Sequence, residues 1–173
     1  MRKIIIDTDP GQDDALAMMT AFGAKKDLNV LGVTCVAGNV PLDLTSVNAL
    51  KICELSGVFS VPVFRGCPAP LKRKLITAEH VHGKTGLDGT DLLVKKKELE
   101  PTDAVDFIIE CTEKYRDEKI TICALGPLTN VAKVLKKGSA LTESIEEIVL
   151  MGGGFFEGGN ICLLYTSDAA DEV

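Results

Sequence analysis

Four aspartates fall within eight residues directly after the first apolar run, in Lys3-Ile4-Ile5-Ile6-Asp7-Thr8-Asp9-Pro10-Gly11-Gln12-Asp13-Asp14. Carboxylates this close raise one another's pKa by repulsion, so a folded chain keeps them ionised when a cation or several donors sit among them. Oxygen ligands with no Cys or His beside them select a hard ion, calcium or magnesium, over zinc or copper. The cluster therefore reads as a metal site. The same stretch also spells a helix start, with Asp9 at the N-cap, Pro10 at the first helical position and Gln12 at the third. Capping accounts for Asp9 and Asp13 but leaves Asp7 and Asp14 without a role, which places the metal reading ahead. An EF-hand loop beginning at Asp7 requires an acidic twelfth residue, where Met18 stands, and is excluded.

Other chemistry-bearing residues give weaker signals. The six cysteines, Cys35, Cys53, Cys67, Cys111, Cys123 and Cys162, are irregularly spaced without a CxxC pair, and most sit in apolar segments. They are expected as buried reduced thiols. His80 and His82 stand two apart in a polar stretch with no third ligand in view, so substrate contact or plain surface is expected ahead of zinc. The runs Lys72-Arg73-Lys74 and Lys95-Lys96-Lys97 read as solvated faces. A net charge of -6 argues against nucleic acid or an anionic membrane as partner. With no leader-like segment and no apolar stretch of membrane-spanning length, a cytoplasmic location is expected.

These groups need a scaffold, and the pattern supplies one. A length of 173 residues at 46% hydrophobic content suits a single domain with a substantial core. Val- and Ile-rich runs predict strands near 3–7, 29–36, 61–65, 119–124 and 147–151. Helices are predicted after Asp9, over 42–56 with Gly57 as the stop, over 103–115, and from near Leu128. Strand and helix alternating at this rhythm imply an α/β fold, an open and mostly parallel Rossmann-like sheet with helices on both faces. The long irregular stretch 66–89 is expected to be a functional flap. Ligands of such sheets bind beyond the carboxyl ends of the strands. Four segments follow strands here: the aspartates, Val36-Ala37-Gly38-Asn39, Ala124-Leu125-Gly126-Pro127-Leu128-Thr129-Asn130, and Met151-Gly152-Gly153-Gly154. They are expected to face one crevice.

At these residues the chain closely resembles the inosine-uridine preferring nucleoside hydrolases. The resemblance begins with Asp7-Thr8-Asp9-Pro10-Gly11-Gln12-Asp13-Asp14-Ala15. It continues in order through Val36-Ala37-Gly38-Asn39, Thr77-Ala78-Glu79-His80-Val81-His82-Gly83, Leu125-Gly126-Pro127-Leu128-Thr129-Asn130 and Val149-Leu150-Met151-Gly152-Gly153-Gly154. It implies calcium-dependent hydrolysis of the N-glycosidic bond of ribonucleosides to ribose and free base, through an oxocarbenium-like transition state. Carried over by motif, Asp9, Asp14 and the main-chain carbonyl of Leu125 would ligate Ca2+. Asp7 would support them without touching the ion, and Asp13 would be the general base. Asn39, Asn160 and Met151 would line the ribose pocket, and His82 would contact the nucleobase. The resemblance also implies nucleoside salvage and a dimer or tetramer in the full-length form.

The pattern is expected to cover residues 1–161 as the N-terminal part of one domain. Residues 162–173, from Cys162-Leu163-Leu164-Tyr165 onward, depart from it and read as a cloning scar, so the chain is expected to be truncated and its own activity in doubt. Two alternatives arise from the residues. One is a magnesium-dependent phosphotransferase of the haloacid dehalogenase type, since Asp7-Thr8-Asp9 after a strand mimics its acidic pair; the other is a non-catalytic calcium-binding remnant.

Overall fold

A computed structural model describes residues 1–152. Five strands form one parallel sheet: β1 (Arg2–Thr8), β2 (Leu28–Cys35), β3 (Val63–Arg65), β4 (Ile120–Ala124) and β5 (Ile145–Leu150), in the spatial order β3-β2-β1-β4-β5. Among the described residues five α-helices, α1 (Gln12–Gly23), α2 (Leu42–Leu55), α3 (Glu79–His82), α4 (Ala104–Lys114) and α5 (Thr129–Lys136), and a 3-10 helix (Ser139–Ser144) accompany them. The α/β reading from the sequence is thus met, with every predicted strand and long helix present. Strand β3 begins two residues later than predicted. Pro62 has no N–H for a ladder, and its carbonyl instead accepts from Val33 N at 2.9 Å. The flap contributes the one-turn helix α3, which the Gly- and Lys-rich composition concealed.

Alternate residues of β1 serve opposite faces, as the pleat requires. Ile4 and Ile6 join Met18 and Phe22 of α1 and Leu50 and Ile52 of α2. Ile5 joins Ile108 of α4, Ile122 of β4 and Val134 of α5 on the other face. Over β2, Phe107 of α4 stacks on Phe64 with ring centroids 3.8 Å apart. Gly32 makes that possible, because a Cβ there would stand 2.6 Å from the Phe107 ring.

Helix α2 ends where predicted, with Gly57 at φ +65°, a conformation open to glycine. The chain winds outward in one direction from β1 to β2 and β3, then returns to β4 and β5 on the other side. The strand order therefore reverses between β1 and β4, and a crevice opens at their carboxyl ends, where α/β sheets bind ligands. Among the described residues no helix is long and apolar enough to cross a membrane.

Candidate active site

The β1–α1 loop carries the aspartates into that crevice. Asp7 is the second-last residue of β1 and is fully buried. Its Oδ1 accepts from Thr34 Oγ1 of β2 at 2.6 Å and from Asn130 Nδ2 of α5 at 2.8 Å, while its Oδ2 is buried with no hydrogen-bond partner. Its main-chain carbonyl accepts from Leu125 N at 2.7 Å, which ties the β4–α5 loop to the cluster. Burial pushes the Asp7 carboxyl up to about 6, against the lowering effect of Asn130 and Thr34.

Asp9 and Asp14 are also buried, and a single asparagine joins them. Asn39 N donates to Asp9 Oδ2 at 2.7 Å, and Asn39 Nδ2 donates to the Asp9 carbonyl at 2.9 Å and to Asp14 Oδ2 at 3.3 Å. The second Asp14 oxygen accepts from Thr8 Oγ1 at 2.5 Å. Burial raises Asp9 well above the usual carboxylate range, and the Asp14 charge raises it further, against the Asn39 N–H. Asp14 is raised as well, first by burial, against the donors Thr8 and Gly11. The loops close tightly around Asp9. A Cβ on Gly38 would lie 2.0 Å from Asp9 Oδ2, and one on Gly126 would lie 2.6 Å from Asp9 Oδ1.

The capping assignment needs correction. Helix α1 starts at Gln12 with Gly11 as its N-cap, and Asp14 Oδ2 accepts from Gly11 N at 3.0 Å. Asp14 therefore caps the helix, while the Asp9 carboxylate is engaged by the main chain of Asn39, thirty positions away. Asp13 faces outward, its side chain 56% exposed, with His82 Nδ1 at 4.0 Å from its Oδ1. His82 is buried and its Nδ1 makes no hydrogen bond, whereas His80 is exposed. A side chain at Gly11 would collide with His82 Nδ1 at 2.6 Å, so the flap rests directly on the aspartate loop. Asn48 of α2 fastens the two, donating to the carbonyls of Pro10 at 3.1 Å and Thr85 at 2.7 Å.

Asp13, Leu125 and Met151 share an open groove of about 590 Å³ beside the cluster, lined otherwise mostly by apolar residues such as Leu16, Ala17 and Val149. Asp9, Asp14, Asn39 and His82 lie outside its lining. Asn160 lies outside the described residues. The carboxylates do not yet form a cage, for among the described residues no three Asp, Glu, His or Cys side chains converge on one point. Even so, the donor set suits a hard cation. All its atoms are oxygens and two of its carboxylates repel each other in a buried setting, with an unpartnered oxygen of Asp7 beside them.

Other expectations resolve differently. Cys35, Cys53, Cys67 and Cys111 are buried and, with the half-buried Cys123, unbridged, as expected, while Cys162 falls outside the described residues. Lys95-Lys96-Lys97 is not a bare solvated face. The three backbone N–H groups converge on the Glu54 carboxylate, and Lys97 is buried with its Nζ donating to the Phe59 carbonyl at 3.1 Å. Sequence reasoning missed Asn48 and set Asn130 in a crevice-facing segment without giving it a role; both are buried and both are bonded across the site.

Comparison with known proteins agrees with this geometry. The sequence model of the inosine-uridine preferring nucleoside hydrolase family matches residues 4–169. The chain is 46% identical over 159 residues to an uncharacterized protein of Schizosaccharomyces pombe, covering 92% of this chain and 51% of that protein. It is 45% identical over 157 residues to the pyrimidine-specific ribonucleoside hydrolase RihB of Escherichia coli (strain HS), covering 91% and 49%. Among solved structures, a plant nucleoside hydrolase superposes with a TM-score of 0.88 at 35% identity, over 98% of this chain and 55% of its own. A purine-preferring ribonucleoside hydrolase from Gardnerella vaginalis does so at 0.84 and 33%, over 93% and 52%. The chain spans about half the length of the curated relatives it matches. The phosphotransferase and remnant alternatives find no support in these matches. With its aspartate loop at the switch point of a matching sheet, this chain belongs to the inosine-uridine preferring nucleoside hydrolase family.

Proposed function

We propose that residues 1–161 form the N-terminal part of a calcium-dependent hydrolase that splits the N-glycosidic bond of ribonucleosides into ribose and free base. The observation that carries this reading is the buried, mutually repelling pair Asp9 and Asp14 set directly behind the solvent-facing Asp13. Asp9, Asp14 and the Leu125 carbonyl would hold the ion, with Asp7 fixing the base of the loop. When bound, calcium supplies positive charge that acidifies water and orients sugar hydroxyls.

Asp13, exposed beside the buried pair, would take the proton of the attacking water. The water oxygen bonds to the sugar carbon as the bond to the base breaks, and the base departs with the bonding electrons and gains a proton. The developing cationic sugar is favoured by the carboxylates around it. Asn39, Met151 and Asn160 would hold the ribose, and His82, fixed over the aspartate loop, would meet the base. The matched enzymes include one named for pyrimidine specificity and one for purine preference, so inosine and uridine are the first substrates to compare. We assign the enzyme to cytoplasmic nucleoside salvage as a dimer or tetramer, which light scattering of the full-length form checks.

The test is ribose release from both nucleosides by a full-length hydrolase carrying these residues. Exhaustive chelation is expected to abolish turnover and added calcium to restore it, with Asp14→Ala blocking restoration. Undiminished turnover after chelation overturns the metal reading.

A further inference from the structure

Asn130 is the second residue of α5 and is wholly buried, yet its carboxamide reaches three other segments. Its Nδ2 donates to Asp7 Oδ1 at 2.8 Å and to the Cys35 carbonyl at the end of β2 at 3.0 Å, and its Oδ1 accepts from Cys67 N at 2.8 Å. Those partners lie 123, 95 and 63 positions away along the chain. Room for the group comes from Gly66, where any Cβ would stand 2.3 Å from Asn130 Oδ1 and 2.5 Å from the Cys35 carbonyl. The chain thus omits a side chain at 66 where the Asn130 carboxamide sits. A buried amide that only filled space would call for no such fit, since an apolar residue of similar volume avoids the desolvation of a carboxamide.

The consequence falls on Asp7. With Thr34 and Asn130 both on Oδ1, the carboxylate cannot rotate without losing one of them, and Oδ2 is left buried without a donor. Asp7 in turn accepts Leu125 N and Gly126 N on its carbonyl, and Gly126 packs against Asp9. A line of contacts therefore runs from Asn130 through Asp7 to the Leu125 carbonyl and Asp9. We propose that Asn130 is a positioning residue: by orienting Asp7 it sets the cation affinity of the Asp9 and Asp14 pair without touching the ion. Groups one step removed from a metal commonly change its affinity 10- to 100-fold. The inference rests on the calcium reading given above.

The experiment is calcium titration by calorimetry on the 173-residue chain, with thermal unfolding recorded for each variant in the absence of calcium. Asn130→Ala and Asp7→Asn are each expected to weaken binding by about tenfold, and the double variant by no more than about twofold beyond Asp7→Asn alone, because Asn130 acts through Asp7. A purely structural role lowers the unfolding temperature and leaves the affinity unchanged, which overturns the inference. So does a double variant in which the two losses multiply. If Asn130→Ala does not fold, Thr34→Val, which removes the other donor to the same oxygen, decides in its place: weakened binding upholds the inference and unchanged affinity overturns it. Absence of calcium binding by the unsubstituted chain overturns the metal reading and this inference with it, whereas binding that the variants leave intact overturns this inference alone.

Discussion

The carboxylate cluster and the groove beside it meet at Asp13 yet are built in opposite ways. On the cluster side, Asp7, Asp9, Asp14 and Asn39 are buried and hydrogen-bonded to one another or to neighbouring segments, with Asp7 Oδ2 left unpartnered. On the groove side, Leu16, Val149, Leu150 and Met151 are exposed and line the open groove between α1 and β5. The opposite face of the same strands is sealed by α4 and α5 around Ile122, which has no exposure at all. Among the described residues, polar organisation is therefore concentrated at the strand ends, whereas apolar closure is uneven from one side of the sheet to the other.

That contrast can be broken at several points. The largest effect is expected from Asp13→Asn in a full-length hydrolase, where ribose release should fall by about 10²- to 10⁴-fold, the usual worth of a positioned base. Calcium affinity should persist, since Asp13 bonds none of the buried carboxylates; unchanged turnover removes Asp13 from the base role. Next in size is the sealed face: Ile122→Ala should cost about 2–5 kcal/mol in urea unfolding, while Val149→Ala on the open side should stay within about 0.5 kcal/mol. Equal costs at the two sites would erase the distinction between the faces. Gly38→Ala sharpens the cluster side, because the new methyl meets Asp9 Oδ2 at 2.0 Å and must displace it. Calcium binding is expected to weaken about tenfold, a loss of about 1.4 kcal/mol, by calorimetry. Gly23→Ala, with nothing within 4 Å of the added methyl and helical geometry around it, should instead leave binding alone and stabilise by about 0.5–1 kcal/mol.

The fold was legible because its signal is short in range. The Val and Ile runs announce buried parallel strands, and Gly57 announces the end of α2, each within a few residues. The aspartate loop was legible for the same reason, since four like charges in one turn demand an explanation. Roles that depend on distant partners were hidden. By sequence Asp9 suits a helix cap as well as a metal site, but Asn39 claims its carboxylate, and Asp14 takes the cap because it lies one turn into α1. Asn130 closes a segment expected to face the crevice, yet nothing within ten positions hints that its own partners sit on β1, β2 and the start of the flap. Asn48 looked like one more polar residue of an amphipathic helix, although it fastens the flap to Pro10. His82 was visible as a flap residue, but its burial against Gly11 follows from the flap's path over the loop.

The flap is fixed at its start, where Cys67 bonds Asn130 and the backbone of Ala37, and again near its middle, where Ala78 N bonds the Asn39 carbonyl. Residues 68–77 run between those two anchors. Closing such a stretch costs entropy that rises slowly with length, about 0.6 kcal/mol for each doubling. Insertions there should leave the anchored residues on either side undisturbed, so this segment is where a lineage could lengthen or recompose the chain near the base-facing His82 while the aspartate loop keeps its shape.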